Sequence, residues 1–236
     1  MIEAGFDFDC GPSEVLAVFL TLPELLRPTY FSHEEKAGNA ADRVDDGKRL
    51  SVFVEKSKSG FFLLGDSVTY SIRIANGKPI ICDCFLEVLP AVIKEFLINM
   101  ASANPIFGFA CDAAERESRN RLTTIQGANE IQSWVGRDTQ RYIPGIYWMT
   151  LISERLANQH KADLSAVTDL SIEHDELSGG QHLFRFYENP QDWQLDNRVS
   201  QFIAKQSGFF DVEQIRSKAK ASRNFIELSS VVGAWK

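Results

Sequence analysis

The chain has 236 residues, of which 44% are hydrophobic and 24% charged, with a net charge of −7. That length suits one large domain or two small ones with a buried core. The acidic balance argues against general nucleic-acid or anionic-membrane binding, since both draw on Lys- and Arg-rich surfaces, and it favours a basic partner.

No apolar run reaches the roughly eighteen residues of a transmembrane helix. The opening "MIEAGFDFDCGPSEV" carries acidic residues where a secretion signal carries basic ones. The expected location is the cytoplasm, where the four cysteines are expected to be reduced.

In chain order, "IEAGFDFD" at 2–9 reads as a strand. Pro12 suits the first turn of a helix striped by Val15, Val18, Phe19 and Leu22, and Pro23 ends it. Residues 32–48 read as a polar surface loop, followed by strands at Leu50–Glu55 and Phe61–Leu64. A hairpin at 67–85 turns at Asn76-Gly77, whose residue types accept the positive φ angles of a tight turn. A two-residue loop sets Ile72 opposite Ile81 and Val68 opposite Phe85. The same register sets Cys82 opposite Ser71 and Cys84 opposite Thr69, so the cysteines belong to the less apolar face. They read as structural thiols, because no second pair of ligands stands at metal-finger spacing.

Leu86, Leu89, Ile93, Phe96, Leu97 and Met100 then follow at helical spacing, and Asn104-Pro105 closes that helix. "IFGFAC" at 106–111 reads as a buried strand. "DAAERESRNRL" is either an extended strand end or a charged helix. A helix is expected from Pro144 to about Asn158, with Met149, Ile152 and Leu156 on one face. "QHLFRFY" reads as a strand, Arg198–Gln206 and Asp211–Ala221 as helices, and "FIELSSVVGAW" as a strand. Antiparallel strands with interspersed helices and no βαβ alternation predict an α+β fold, with helices packed on a sheet that includes the 67–85 hairpin.

Chemistry is sparse. Asp7 and Asp9 form an Asp-x-Asp pair that two-carboxylate Mg²⁺ binding would use. The pair resembles the opening of a haloacid-dehalogenase-type phosphatase motif, but Cys10-Gly11-Pro12 stands where a Thr or Ser is needed. A small Mg²⁺-dependent phosphotransfer enzyme is therefore kept as an alternative. "IEHDE" at 172–176 reads as a solvated turn rather than a metal site. Zinc-protease, nucleophile-elbow and phosphate-loop motifs are absent, and Glu55-Lys56 lacks the Glu-x-Lys spacing of a restriction-type nuclease. No catalytic residue, cofactor or metal is expected.

Charge is more informative. Residues 171–197 hold six acids against Arg185 alone, which is five of the seven net negative charges. Glu173, Asp175, Glu176, Glu188, Asp192, Trp193 and Asp196 are the candidates for contacting a basic protein, since aromatics anchor and charge steers. The alternative is that Phe184, Phe186, Tyr187 and Trp193 face the core while the acids are merely solvated.

Two blocks carry a resemblance. "GFACDAAERESRNRL" includes Gly108-Phe109 and the run from Glu115 to Asn120. "SWVGRDTQRYIPGIYWMTLIS" includes Trp134, Gly136, Arg137, Asp138, Tyr142, Pro144, Gly145, Ile146, Tyr147 and Trp148. Together they resemble the signature region of a bacterial polymorphic-toxin immunity family, immunity protein fifty-two. The resemblance implies one immunity domain over 1–236: a non-enzymatic inhibitor that binds a cognate toxin delivered by type VI secretion, with restriction-fold nucleases among the family's toxins. An adaptor for another basic partner is the remaining alternative. The resemblance does not identify contact residues. The Trp134–Trp148 block reads as a packed corner, with Arg137 and Asp138 as an ion pair that positions its loop.

Overall fold

The computed structural model describes residues 1–35, 42–45, 47–75, 77–86, 90–126, 129–222 and 224–233. Asn76, Leu89, the Cys82 side chain and part of the 32–48 loop lie outside the described residues. The strands are β1 (Ile2–Phe8), β2 (Tyr30–Ser32), β3 (Gly60–Leu64), β4 (Val68–Ala75), β5 (Lys78–Leu86), β6 (Pro105–Asp112), β7 (Arg121–Gln126), β8 (Asn129–Trp134), β9 (Met149–Ser153), β10 (Glu173–Leu177) and β11 (Gln181–Arg185). The helices are α1 (Pro12–Thr21), α2 (Gly47–Lys56), α3 (Pro90–Ala101), α4 (Ala113–Asn120), α5 (Glu154–His160), α6 (Leu164–Leu170), α7 (Arg198–Lys205), α8 (Val212–Ala221) and α9 (Phe225–Gly233). The fold is α+β.

Nine strands pair antiparallel in one sheet, in the order β10-β11-β9-β6-β1-β5-β4-β3-β2. The N-terminal strand thus lies at the centre, and "IEAGFDF" is buried along almost its whole length. The registers define two faces. Phe6, Gly108, Leu151, Leu183 and Asp175 form a row on one; Asp7, Phe107, Ile152, His182 and Glu176 form a row on the other. Helices α1 and α3 cover the first face: Phe19 meets Tyr70 at 4.6 Å between ring centroids and Phe96 meets Phe6 edge-on at 5.5 Å. Each such buried aromatic contributes about 1.5–3 kcal/mol. Gly108 is needed in this layer, because a Cβ there would stand 2.6 Å from Cδ1 of Phe6.

The β7–β8 hairpin forms its own small sheet. It packs with α8 and α9 over a second core of Leu122, Val135, Tyr142, Phe210, Ile215 and Leu228. Among the described residues, no helix is long and apolar enough to cross a membrane.

Several expectations need correction. Residues 50–55 are not a strand but lie within α2, because Leu50 and Val54 are buried one helical turn apart. The C-terminal "FIELSSVVG" is helix α9, which buries Leu228 and Val232 at the same spacing. No helix starts at Pro144. The chain stays irregular to Trp148, runs through β9, and only then enters α5, where Ser153 Oγ accepts from Leu156 N at 3.2 Å. The run "MTLIS" is buried at every position because β9 lies between β6 and β11 with both faces covered.

In the hairpin, Ile72 does face Ile81, but a bulge between Ser71 and Ile72 shifts the remainder. Tyr70 therefore faces Cys84, and Val68 faces Leu86. Cys84 is thus fully buried on the apolar face, opposite to its expected side. Leu86 ends β5 rather than joining α3. "DAAERESRNRL" resolves into α4, capped by Asp112 Oδ1 on Ala114 N, and the start of β7.

Candidate functional site

The two sequence blocks around Glu115–Asn120 and Trp134–Trp148 meet on the Asp7 face of the sheet in a buried polar network. Glu115, Arg116 and Asn120 of α4 are almost wholly enclosed, as are Tyr147 and Trp148 in the loop before β9. Arg116 Nη1 donates to the Tyr147 hydroxyl, which donates to Asn120 Oδ1 at 2.6 Å; Asn120 Nδ2 donates to the Val135 carbonyl at 3.1 Å. Glu115 accepts from Arg119 Nε at 2.9 Å and from the Trp148 amide at 3.1 Å. Trp148 Nε1 and Arg119 Nη2 both reach Tyr187, at its carbonyl and its hydroxyl. Arg116 also lies 3.7 Å from Glu3 Oε1 and 4.5 Å above the Phe109 ring. Burial pushes Glu115 up to about 7 against the pull of Arg119 and the Trp148 amide, and pushes the Tyr147 hydroxyl up to about 12.

The rest of the opening block sits around this network. Trp134 ends β8, about one-third exposed, with the guanidiniums of Arg137, Arg121 and Arg116 at 4.8, 5.8 and 5.9 Å from its ring. Gly136 has φ +74°, in contact with Phe210 and Asn120. Asp138 shapes a turn, its Oδ1 accepting from Gln140 N and its carbonyl from Tyr142 N. Tyr142 packs on Phe210 at 5.1 Å, and Ile143 exchanges backbone bonds with Gly208 and Phe210. Pro144 and Gly145 line a cavity of about 140 Å³ together with Arg119 and Trp193.

Asp7 and Asp9 open onto a cleft of about 900 Å³ that also presents Arg73, Lys78, Arg137 and Arg155. Asp9 is ion-paired with both Lys78 and Arg155. Asp7 lies deeper, where burial raises it to about 6 although Arg116, Arg73 and Arg137 pull it down. The pair therefore splits into a carboxylate held by two cations and a half-buried one whose burial favours its protonated form.

The acidic segment is not a turn at 172–176. It is β10, the free edge of the large sheet. Glu173 and Asp175 point to the α3 face, where Lys94 Nζ lies 2.7 Å from each; Arg185 Nε adds a second cation to Glu173 at 2.7 Å, and the bonds from Lys94 and then Arg185 hold Glu173 below its ordinary range. Glu176 and Glu188 are exposed, the latter 2.8 Å from Arg185. Asp192 Oδ2 accepts from Asn189 N, and Asp196 pairs with Arg198. Phe184, Phe186 and Tyr187 belong to the core, while Trp193 is half-buried against it with no hydrogen-bond partner for Nε1.

A cluster missed in the sequence lies on the opposite side of β10. His174, Glu176 and His182 bring one ligand atom each within 4.8 Å of one another. His174 Nε2 and His182 Nδ1 are 3.0 Å apart. Burial and His182 push His174 below its ordinary value. The two histidines are eight residues apart, so no short motif marks them; only the strand pairing of Glu176 with His182 brings them together.

Comparison with family models, with curated proteins and with solved structures finds no match to this chain.

Proposed function

We propose that the protein is an immunity protein of the family it resembles: a non-enzymatic inhibitor that binds a cognate type VI secretion toxin, of nuclease type, in a stoichiometric complex. The observation that carries this reading is the convergence of its two signature blocks. Glu115, Arg116 and Asn120 from one and Tyr147 and Trp148 from the other, about thirty residues apart, share one buried hydrogen-bond network. Residues that identify a fold are expected to meet in such a place, because buried polar groups tolerate few substitutes. The net charge of −7 suits a nuclease partner, which presents positive charge to phosphate. Co-expression with the toxin encoded beside it should restore growth, and the two chains should co-purify. Failure with every neighbouring toxin gene sinks the proposal.

The cleft supports a second reading, a phosphotransfer enzyme using Asp7 and Asp9, since both carboxylates line the same 900 Å³ space. It predicts Mg²⁺-dependent activity on a phosphate ester that Asp7→Asn abolishes. The ion pairs of Asp9 with Lys78 and Arg155 weigh against it, because a metal must displace two cations.

A further inference from the structure

We propose that His174, His182 and Glu176 form a binding site for one divalent transition cation of the zinc type. The argument starts from where the imidazole protons must be. Thr168 has a single hydroxyl proton, and it goes to the Leu164 carbonyl at 2.9 Å. Towards His174 Nδ1, 3.5 Å away, Thr168 Oγ1 can therefore only accept, so neutral His174 carries its proton on Nδ1. His182 is 9% exposed, and its Nε2 is buried with no hydrogen-bond partner. The carboxylate of Glu154 lies 3.6 Å from that Nε2 and, when ionised, can only accept, so neutral His182 carries its proton there.

What remains are two bare lone pairs, on His174 Nε2 and His182 Nδ1, facing one another at 3.0 Å. Two acceptors that close repel unless a cation lies between them. Glu176 points to the same face as the cross-strand partner of His182, and its carboxylate completes a three-ligand cluster. Three converging ligands call for a metal rather than a shared proton. The outward nitrogens of His174 and His182 have an oxygen 3.5 and 3.6 Å away, Thr168 Oγ1 and Glu154 Oε1, placed where such oxygens orient metal-binding histidines. Zinc–nitrogen bonds of about 2.0–2.1 Å place two tetrahedral ligand nitrogens roughly 3.3 Å apart, so the pair needs to open by only a few tenths of an ångström. The two imidazole nitrogens favour zinc-like cations over magnesium or calcium, which prefer all-oxygen sites. A cation here would tie the edge strand β10 to β11, backed by α5 through Glu154 and α6 through Thr168. This inference does not depend on the immunity reading.

The test uses the full chain, stripped with EDTA, dialysed, and titrated with ZnCl₂ by calorimetry at neutral pH. One equivalent per chain with micromolar or tighter affinity, and a raised melting temperature, are expected. H174A should abolish saturable binding, E176Q should weaken it about tenfold or more, and H33A should leave it unchanged. Intense visible absorption after Co²⁺ loading, lost in H174A, would place the metal on the imidazoles. Absence of saturable zinc binding in the parent, or stoichiometric binding retained in H174A, overturns the proposal. Because Glu176 is exposed and E176Q should fold, unchanged affinity in that variant overturns it as well, whatever the solubility of the histidine variants.

Discussion

The Tyr147 hydroxyl stands between Arg116 and Asn120, accepting from the guanidinium and donating to the amide oxygen at 2.6 Å. All three side chains are buried, so no water replaces a lost partner. Tyr147→Phe keeps the ring packed on Phe109 at 4.8 Å but leaves two buried polar groups short of a bond. The expected loss is about 1–3 kcal/mol of stability, read as a lower urea midpoint with an unchanged slope. A midpoint equal to the parent's would show that the relay adds nothing to the fold.

Gly136 makes a sharper case. Its φ of +74° costs a side-chain-bearing residue about 1–2 kcal/mol. A Cβ there would also stand 2.3 Å from Cδ1 of Phe210 and 2.8 Å from Asn120 Nδ2, and overpacking adds about 1–3 kcal/mol. Gly136→Ala should therefore unfold far more readily than Gly77→Ala, where φ is +76° and nothing stands within 4 Å of the added carbon. Thermal melting of the two variants side by side separates the packing cost from the backbone cost. Equal melting temperatures would mean that Phe210 moves aside freely.

Stability should depend on pH through two raised carboxyls. Asp7 rises from 3.8 to about 6, and Glu115 from 4.5 to about 7, chiefly through burial. Between pH 4.5 and 7 the native state thus holds protons that the unfolded chain has released. The stabilisation is present below the unfolded values and is lost as pH rises through 6 and 7. His174, pushed below its ordinary value, opposes this trend, since the unfolded chain takes up the proton that the native ring resists. The decisive comparison is therefore parent against variant. Asp7→Asn and Glu115→Gln should each flatten the downward slope of urea midpoint against pH between 5 and 8. An unchanged slope in both would mean that these groups are ionised in the native state throughout.

Much of the architecture was legible where one local signal dominated. The alternation in β4, the Pro12 helix start and the apolar run of β6 all announced themselves. Failures came where tertiary context overrode local spelling. "MTLIS" follows Pro144-Gly145, which reads as a helix entrance, yet the slot between β6 and β11 makes it a strand. The bulge at Ser71 moved Cys84 to the other face, and no residue type in the hairpin signals it. At the candidate site, the two aromatic and charged blocks stood out in the sequence, but the network joining Glu115 to Trp148 required α4 to lie beside the loop before β9. The histidine pair was invisible because its unit is a strand register rather than a spacing.

The structure also sharpens which acids can steer a partner. Glu173 and Asp175 are held by Lys94, with Arg185 on Glu173 as well, so little of their charge reaches solution. Replacing them with Lys would crowd cations on α3 and loosen β10 before it tested any interface. Glu176 and Glu188 are exposed, Glu188 while paired with Arg185 at 2.8 Å. Their double reversal to Lys changes the charge on the β10–β11 side by four without disturbing Lys94. If a basic toxin docks there, its association rate should fall about tenfold at low salt, with little change in dissociation. The effect should shrink as salt is raised, because screening weakens charges beyond about 10 Å at 0.1 M. Stopped-flow measurement in EDTA keeps any cation bound at Glu176 out of the comparison. If the low-salt rate stays at the parent's value, the docking surface lies elsewhere. Trp193 would then be the next residue to truncate, because it is half-buried at a cavity shared with Pro144 and Gly145.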